Sequence, residues 1–162
     1  MLDEATRRCD RRQFDERLAA QLRDAAQQHR GLAVLIAGAD GIAWINRRWG
    51  RAAGDSVLRK LARRLAAGLA PEDVFARYDG NRFGIIRWVA SADRAAAFAQ
   101  HLSSQIAGAP FELPGGRDAA FLTISVGLAF AEPPADAQVI VAAAEEALRR
   151  AKDAGGNRTC LG

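Results

Sequence analysis

Cysteine is nearly absent: Cys9 and Cys160 are the only two in 162 residues. They stand near opposite ends, match no zinc-ligand spacing and exclude a disulfide-stapled mini-protein, so both read as free thiols of a reducing compartment. Long apolar runs are missing as well. None approaches the ~18 residues that would span a bilayer. The start, Met1-Leu2-Asp3-Glu4, shows no cationic leader followed by an apolar stretch. These absences predict a cytoplasmic protein with no membrane segment. No linker rich in Pro, Gly or Ser, no repeat and no low-complexity block divides the chain, which predicts a single domain over 1–162. Histidine is confined to His29 and His101, far apart on separate predicted helices, where solvated or partly buried roles are the default. Lysine is confined to Lys60 and Lys152, so arginine carries nearly all of the positive charge behind the net +4. A basic excess of that size suits nucleic acid, nucleotides or an acidic protein and selects none of them.

What is present is a globular composition. Apolar residues make up 49%, enough to build a core and too many for a disordered chain. Phe14, Leu18, Leu22 and Ala26 recur every four residues and predict an amphipathic helix over 10–29, ended by Gly31. The apolar run 32–37 predicts a central strand, followed by a turn at Gly38, Asp40 and Gly41. A short helix over Ile42 to Trp49 stops at Gly50. Asp55 is placed to cap the next helix, which carries Leu58, Leu61, Leu65 and Leu69 on one face before Pro71. Two strands, 74–79 and 82–89, flank Asp79-Gly80, a two-residue hairpin signal in which both residues need positive φ. Ser91 or Asp93 caps a helix marked by Phe98, Leu102 and Ile106. A loop over Gly108 to Asp118, a strand over 120–131, a helix over 136–154 ended by Gly155-Gly156, and a short strand near 157–161 complete the chain. This order predicts an α+β fold, a ferredoxin-like sandwich with a mostly antiparallel sheet flanked by helices. That topology hosts many functions and names none.

The hairpin Arg77-Tyr78-Asp79-Gly80-Asn81-Arg82-Phe83 resembles the R-Y-G-G-D/E-E-F hairpin of the GGDEF domain, the diguanylate cyclase family. Spacing elsewhere agrees. Asp3, Thr6, Arg11, Arg12 and Phe14 follow the family's D-x-L-T-G-L-x-N-R-R-x-F opening. Ile45-Asn46, Gly50, Gly54-Asp55 and Val57-Leu58 follow its I-N-D-x-x-G-H-x-x-G-D-x-V-L. Thr123-Ile124-Ser125-Val126-Gly127 follows its T-I-S-I-G strand. Ala147-Leu148, Ala151-Lys152, Gly155 and Asn157 follow its A-L-Y-x-A-K-x-x-G-R-N ending. The resemblance implies a nucleotidyl-cyclase-like, five-stranded sheet and an ancestral activity that condenses two GTP molecules into cyclic di-GMP across a dimer, each ribose 3′-hydroxyl attacking the other α-phosphate.

The resemblance also says which parts of that machinery the chain keeps. Asn46 and Asp55 fall on positions that hydrogen-bond guanine, and a carboxylate and an amide suit its donor and acceptor edges. As plain sequence features the two are a turn former and a helix cap. Lys152 falls on a phosphate-contacting position. The metal-ligating aspartate is replaced by Gly38, the acidic third letter of the signature by Asn81, and its glutamate by Arg82. Each change moves the site toward positive charge. A unit-charge pair at about 5 Å in an effective dielectric of about 20 is worth roughly 3 kcal/mol, so a hard cation that needs carboxylate oxygens would lose much of its attraction and Asp40 alone cannot offset that. Mg²⁺ binding is predicted lost and no cofactor is expected. Ile42-Ala43 replace the family's F-K, and Gly156 replaces its arginine near the end. Of the inhibitory R-x-x-D only Asp73 remains, with Ala70 at the arginine position, so tight cyclic di-GMP binding there is not expected unless Arg77 or Arg47 and Arg48 supply the charge.

These replacements predict a catalytically inactive domain of bacterial cyclic di-GMP signalling, without catalytic residues. It would act as a regulatory or protein-interaction module with EAL, HD-GYP or PilZ domains, or by self-association. One alternative is a metal-independent GTP/GDP sensor using Asn46, Asp55, Lys152 and Arg82, the last pairing with phosphates where the metal stood. Against it, the plainer reading of Arg82 is a solvated hairpin end. A weak or residual cyclase is a further alternative. A nucleic-acid binder on the ferredoxin-like sheet is prompted by arginine and by Tyr78, Phe83 and Trp88, but no RNP-type motif is present and alternation places these aromatics in the core. Trp44 and Trp49, flanking Asn46, read as packing residues.

Overall fold

The structure, a computed structural model, describes residues 9–162. Asp3 and Thr6, part of the opening motif, lie outside the described residues. In chain order the elements are α1 (Arg11–Gln28), β1 (Leu32–Asp40), α2 (Ile42–Trp49), α3 (Arg51–Ala67), β2 (Val74–Arg77), β3 (Arg82–Trp88), α4 (Ala92–Ala107), β4 (Phe111–Glu112), β5 (Ala119–Ala120), β6 (Thr123–Ala131), α5 (Ala137–Asp153) and β7 (Thr159–Leu161). Five strands form one sheet in the order β2-β3-β1-β6-β7, antiparallel except for the parallel β6–β7 pair. The fold is thus the mostly antiparallel α+β sandwich that the pattern predicts, with the five-stranded sheet that the resemblance implies.

Alternation along β1 divides the core between the two faces. Ala33, Leu35, Ala37 and Ala39 point to one side, where Ile45, Val57, Leu61, Leu65, Ala99, Leu102 and Ile106 bring α2, α3 and α4 onto the sheet. Leu32, Val34 and Ile36 point to the other, where Phe14, Leu18, Leu22, Val141, Ala144 and Leu148 bring α1 and α5. Gly38 and Asp40, two and four residues beyond Ile36, therefore fall on the α1/α5 face. Among the described residues no helix is long and apolar enough to cross a membrane.

Several local expectations are corrected. The first helix ends not at Gly31 but at His29, which takes φ 52° while the Arg30 amide donates to the Ala25 carbonyl. Its start is held by a capping box between Asp10 and Gln13. Gly38 and Asp40 form no turn. β1 runs on because both neighbours keep pairing with it, Gly38 opposite Arg82 and Ser125 and Asp40 opposite Thr123, and the chain turns only at Gly41, φ 89°. Asp55 caps nothing. α3 starts at Arg51 after Gly50, which puts Asp55 one turn inside it, and it stops at Ala67, short of Leu69. The Asp79-Gly80 signal does not make a two-residue turn. Residues 78–81 connect the strands with no positive φ, and the Tyr78 and Asp79 amides both donate to the Arg82 carbonyl. Ser91, not Asp93, caps α4 through the Arg94 amide. The loop over 108–118 carries β4, which pairs with β5, so the strand read over 120–131 is split and β6 begins at Thr123.

Candidate functional site

The end of the sheet beneath α5 gathers the residues that the motifs single out. Gly38 is opposite Arg82 on one side and Ser125 on the other, so all three share a face. The empty Cα of Gly38 leaves a space, and the Lys152 side chain fills it. A Cβ at residue 38 would stand 3.0 Å from Lys152 Cε and 3.3 Å from Nζ. The ammonium donates to the Ala39 carbonyl at 2.8 Å and to Asp40 Oδ1 at 2.9 Å.

Asp40 is the hub of this cluster. Thr123 Oγ1 donates to Oδ2 at 2.7 Å, Ser125 Oγ to Oδ1 at 2.9 Å, and the Asn157 amide to Oδ2 at 3.0 Å. Ser125 is 0% exposed, so its hydroxyl has Asp40 as its recorded acceptor in the interior. Gly156, at φ 74°, lets the turn after α5 approach: a Cβ there would meet Asp40 Oδ1 at 3.0 Å. Burial by itself would raise the Asp40 pKa, but the bonds from Lys152, Thr123, Asn157 and Ser125 together outweigh it and hold the carboxyl below its ordinary value. The roles of Thr123, Ser125 and Asn157 were visible in the sequence only as matching motif letters. Their convergence on Asp40 depends on the β1–β6 register.

Arg82, half-buried at the hairpin end, does not stand free in solvent. Its Nε donates to Asp79 Oδ2 at 2.7 Å, with a second bond from Nη2 to the same oxygen, and its guanidinium lies 5.1 Å from the Tyr78 ring centre. Desolvation pushes Asp79 up, yet the Arg82 bond and charge bring its pKa down on balance, while the same pairing raises Arg82. Arg11 covers Tyr78 at 3.7 Å, and the Tyr78 hydroxyl donates to Glu145. Burial, followed by that bond, pushes the Tyr78 pKa up. Tyr78 and Phe83 are buried and Trp88 is half-buried, as their alternation predicts. Asn81 is exposed.

A hard divalent cation needs several oxygen ligands. Gly38 offers no side-chain oxygen, Arg82 offers a cation, and both the Asp40 carboxylate and the Ala39 carbonyl already accept from Lys152. Among the described residues no group of three or more His, Cys, Asp or Glu is placed to hold a metal ion.

Asn46 and Asp55 sit apart from this cluster, on α2 and α3. Asn46 Oδ1 is buried, has no hydrogen-bond donor among the described residues and lies against Gly54, where a Cβ would come within 1.7 Å of it. Asp55, next along, is exposed. Trp49 donates to Asp118 at 3.3 Å, and Trp44, 51% exposed, packs edge-on against Trp49 at 5.1 Å. Asp73 has a structural partner that the motif does not disclose. Arg87 Nη1 donates to it at 2.6 Å, the Ala70 amide adds a bond at 2.7 Å, and the carboxylate is 2% exposed. Arg77 binds its own hairpin, at the carbonyls of Asp79 and Gly80.

The chain is similar to known proteins. A family model described as diguanylate cyclase, GGDEF domain, matches residues 1–158. The uncharacterized protein YhcK of Bacillus subtilis is 33% identical over 157 residues, covering 94% of this chain and 43% of YhcK. Diguanylate cyclase DosC of Escherichia coli is 29% identical over 160 residues, 99% of this chain and 35% of DosC. The solved GGDEF domain of PA1120 (TpbB or YfiN) from Pseudomonas aeruginosa superposes with a TM-score of 0.92 at 31% identity, covering 99% of this chain and 94% of that one. The chain spans less than half the length of these two curated relatives.

Proposed function

The chain belongs to the GGDEF, diguanylate cyclase, family, and from that premise we propose that it is a catalytically inactive member serving as a regulatory or protein-interaction module in cyclic di-GMP signalling. One observation carries the reading: the Lys152 ammonium lies in the space that Gly38 leaves open and is bonded to Asp40. A tethered cation thus stands beside the carboxylate that remains. The donor set, one carboxylate already paired with an ammonium, does not fit a divalent metal ion. Phosphoryl chemistry concentrates negative charge that metal ions ordinarily stabilise. A centre whose carboxylates are glycine, amide and guanidinium has lost that means. The test is direct. Purified protein with GTP and Mg²⁺ or Mn²⁺ yields no cyclic di-GMP above a no-enzyme control; product formation overturns the proposal.

A second reading, a metal-independent guanine-nucleotide sensor, is favoured by the partnerless Asn46 oxygen at a position that the resemblance assigns to guanine. A buried acceptor without a donor is costly, and rotation of the Asn46 amide away from Gly54 to meet a ligand N–H would relieve it. Calorimetry with GTP and GDP in EDTA decides this: heat that vanishes in Asn46→Ala supports the sensor, and no heat at millimolar nucleotide removes it.

A further inference from the structure

We propose that the basic face of α3, with the cleft between α3 and the β4–β5 hairpin, is a docking surface for an acidic segment of a partner protein, an inference that rests on the protein-interaction reading above for its setting. α3 carries Arg51, Arg59, Lys60, Arg63 and Arg64 against one acid, Asp55, and α2 adds Arg47 and Arg48. On other helices several cations meet carboxylates of their own helix: Arg11 pairs with Asp15 and Arg12 with Glu16 on α1, and Arg149 with Glu146 and Asp153 on α5. Among the described residues, no cation of α2 or α3 makes an ion pair with a carboxylate.

The cations at the far end of α3 are held in place without being neutralised. Arg64 donates to the carbonyls of Ile106, Ala109 and Pro110, and its guanidinium lies 3.7 Å over the Phe111 ring. Lys60 Nζ donates to the Glu112 carbonyl at 2.6 Å. Carbonyl acceptors fix these groups but leave their charge. Between them opens a cleft of about 500 Å³, lined by Lys60, Arg63, Arg64, Pro110, Phe111 and Glu112. Arg59 and Arg63 are exposed beside it. Arg59–Arg63 and Lys60–Arg64 are like-charge pairs four residues apart, a repelling arrangement on a helix that carboxylates from outside would relieve.

The chemistry favours a polypeptide over other anions. Phe111 is 1% exposed beneath Arg64, so the cleft offers no aromatic face for a nucleic-acid base to stack on. Among the described residues the large exposed apolar side chains are Trp44, Phe121, Val139 and Leu161; none is on α3 or lines the cleft, and Trp44 lies on α2. An extended acidic segment needs only what is present: an array of positive charge along one helix and a shallow slot beside it.

The test uses the whole chain and a fluorescein-labelled Glu/Leu peptide, with its Gln/Leu counterpart, a single-stranded DNA oligonucleotide and phosphatidylserine vesicles as comparison probes. Fluorescence anisotropy should show binding of the acidic peptide, not of the Gln form, weakening as salt rises because exposed charges are screened. Arg59→Glu/Arg63→Glu should weaken binding at least about tenfold. Arg12→Glu/Arg17→Glu on α1, which changes net charge equally, should leave binding within about twofold, and thermal melts establish that both variants fold. Equal loss in the two variants, binding of the Gln peptide as tight as the Glu peptide, or tighter binding of DNA or vesicles overturns the proposal. Cyclase activity is read separately: its appearance overturns the inactive reading and leaves this surface standing, whereas failed peptide binding does the reverse.

Discussion

At the scale of single residues, the glycine at 38 and the lysine at 152 decide the chemistry together. Neither is informative alone: the sequence shows a missing carboxylate and a kept lysine, and only the structure shows that one occupies the other's space. Restoring the acids should therefore displace the ammonium. In Gly38→Asp/Asn81→Asp/Arg82→Glu the flexible end of Lys152 needs to move a few tenths of an ångström or more, and the variant should bind Mn²⁺ with millimolar or tighter affinity by calorimetry while the parent shows no heat. Asp40 supplies a second residue-scale expectation. Its folded pKa lies below its unfolded value near 3.8, so its stabilising contribution is complete above that value and is lost as pH falls through the lower folded one. Urea unfolding between about pH 5 and pH 2 should show a loss of stability in the parent that is shallower in Asp40→Asn. Asp40→Ala would also strand the buried Ser125 hydroxyl, costing roughly 1–3 kcal/mol.

At the scale of elements, backbone approach matters more than side-chain pattern. Gly127 lies where α5 crosses β6. A Cβ there would meet the Ala144 carbonyl oxygen at 2.0 Å and the Leu148 amide at 2.4 Å. Those are backbone atoms and cannot swing aside, so Gly127→Ala should lift α5 from the sheet and cost about 1–3 kcal/mol or more, measured as a lower urea midpoint. Because Leu148 and Lys152 share α5, the same change should disturb the Asp40 cluster. Element identity was largely legible here. The four-residue recurrence of Phe14, Leu18 and Leu22 marks α1, and the apolar run after Gly31 marks β1. Boundaries were less legible, because pairing set them: β1 reaches Asp40 through its register with Arg82, Ser125 and Thr123, and no local residue preference announces that extension. The Asp73–Arg87 pair is similar. The β2–β3 register places residue 87 beside residue 73, but no motif does.

At the scale of the whole molecule, a single sheet separates two apolar layers and must hold both. Phe14 on one side and Leu61 on the other are each 0% exposed. Phe14→Ala should cost about 3–5 kcal/mol and Leu61→Ala about 2–5 kcal/mol. Since β1 and β3 contribute to both layers, each variant should still unfold in one transition. Tryptophan fluorescence, which samples α2 through Trp44 and Trp49 and β3 through Trp88, should coincide with circular dichroism. Separate midpoints would show that the layers are not coupled.

The amino-acid order alone determined the family, the helix and strand succession and the loss of three acidic positions, because periodicity and motif spacing are properties of the chain itself. Tertiary structure decided what took their place. Strand register brought Thr123 and Ser125 to Asp40, the turn at Gly156 delivered the Asn157 amide, and α5 laid the Lys152 ammonium beside Gly38. Those partners lie up to 117 residues apart, and charges so distant along a chain interact only where folding holds them a few ångströms from one another.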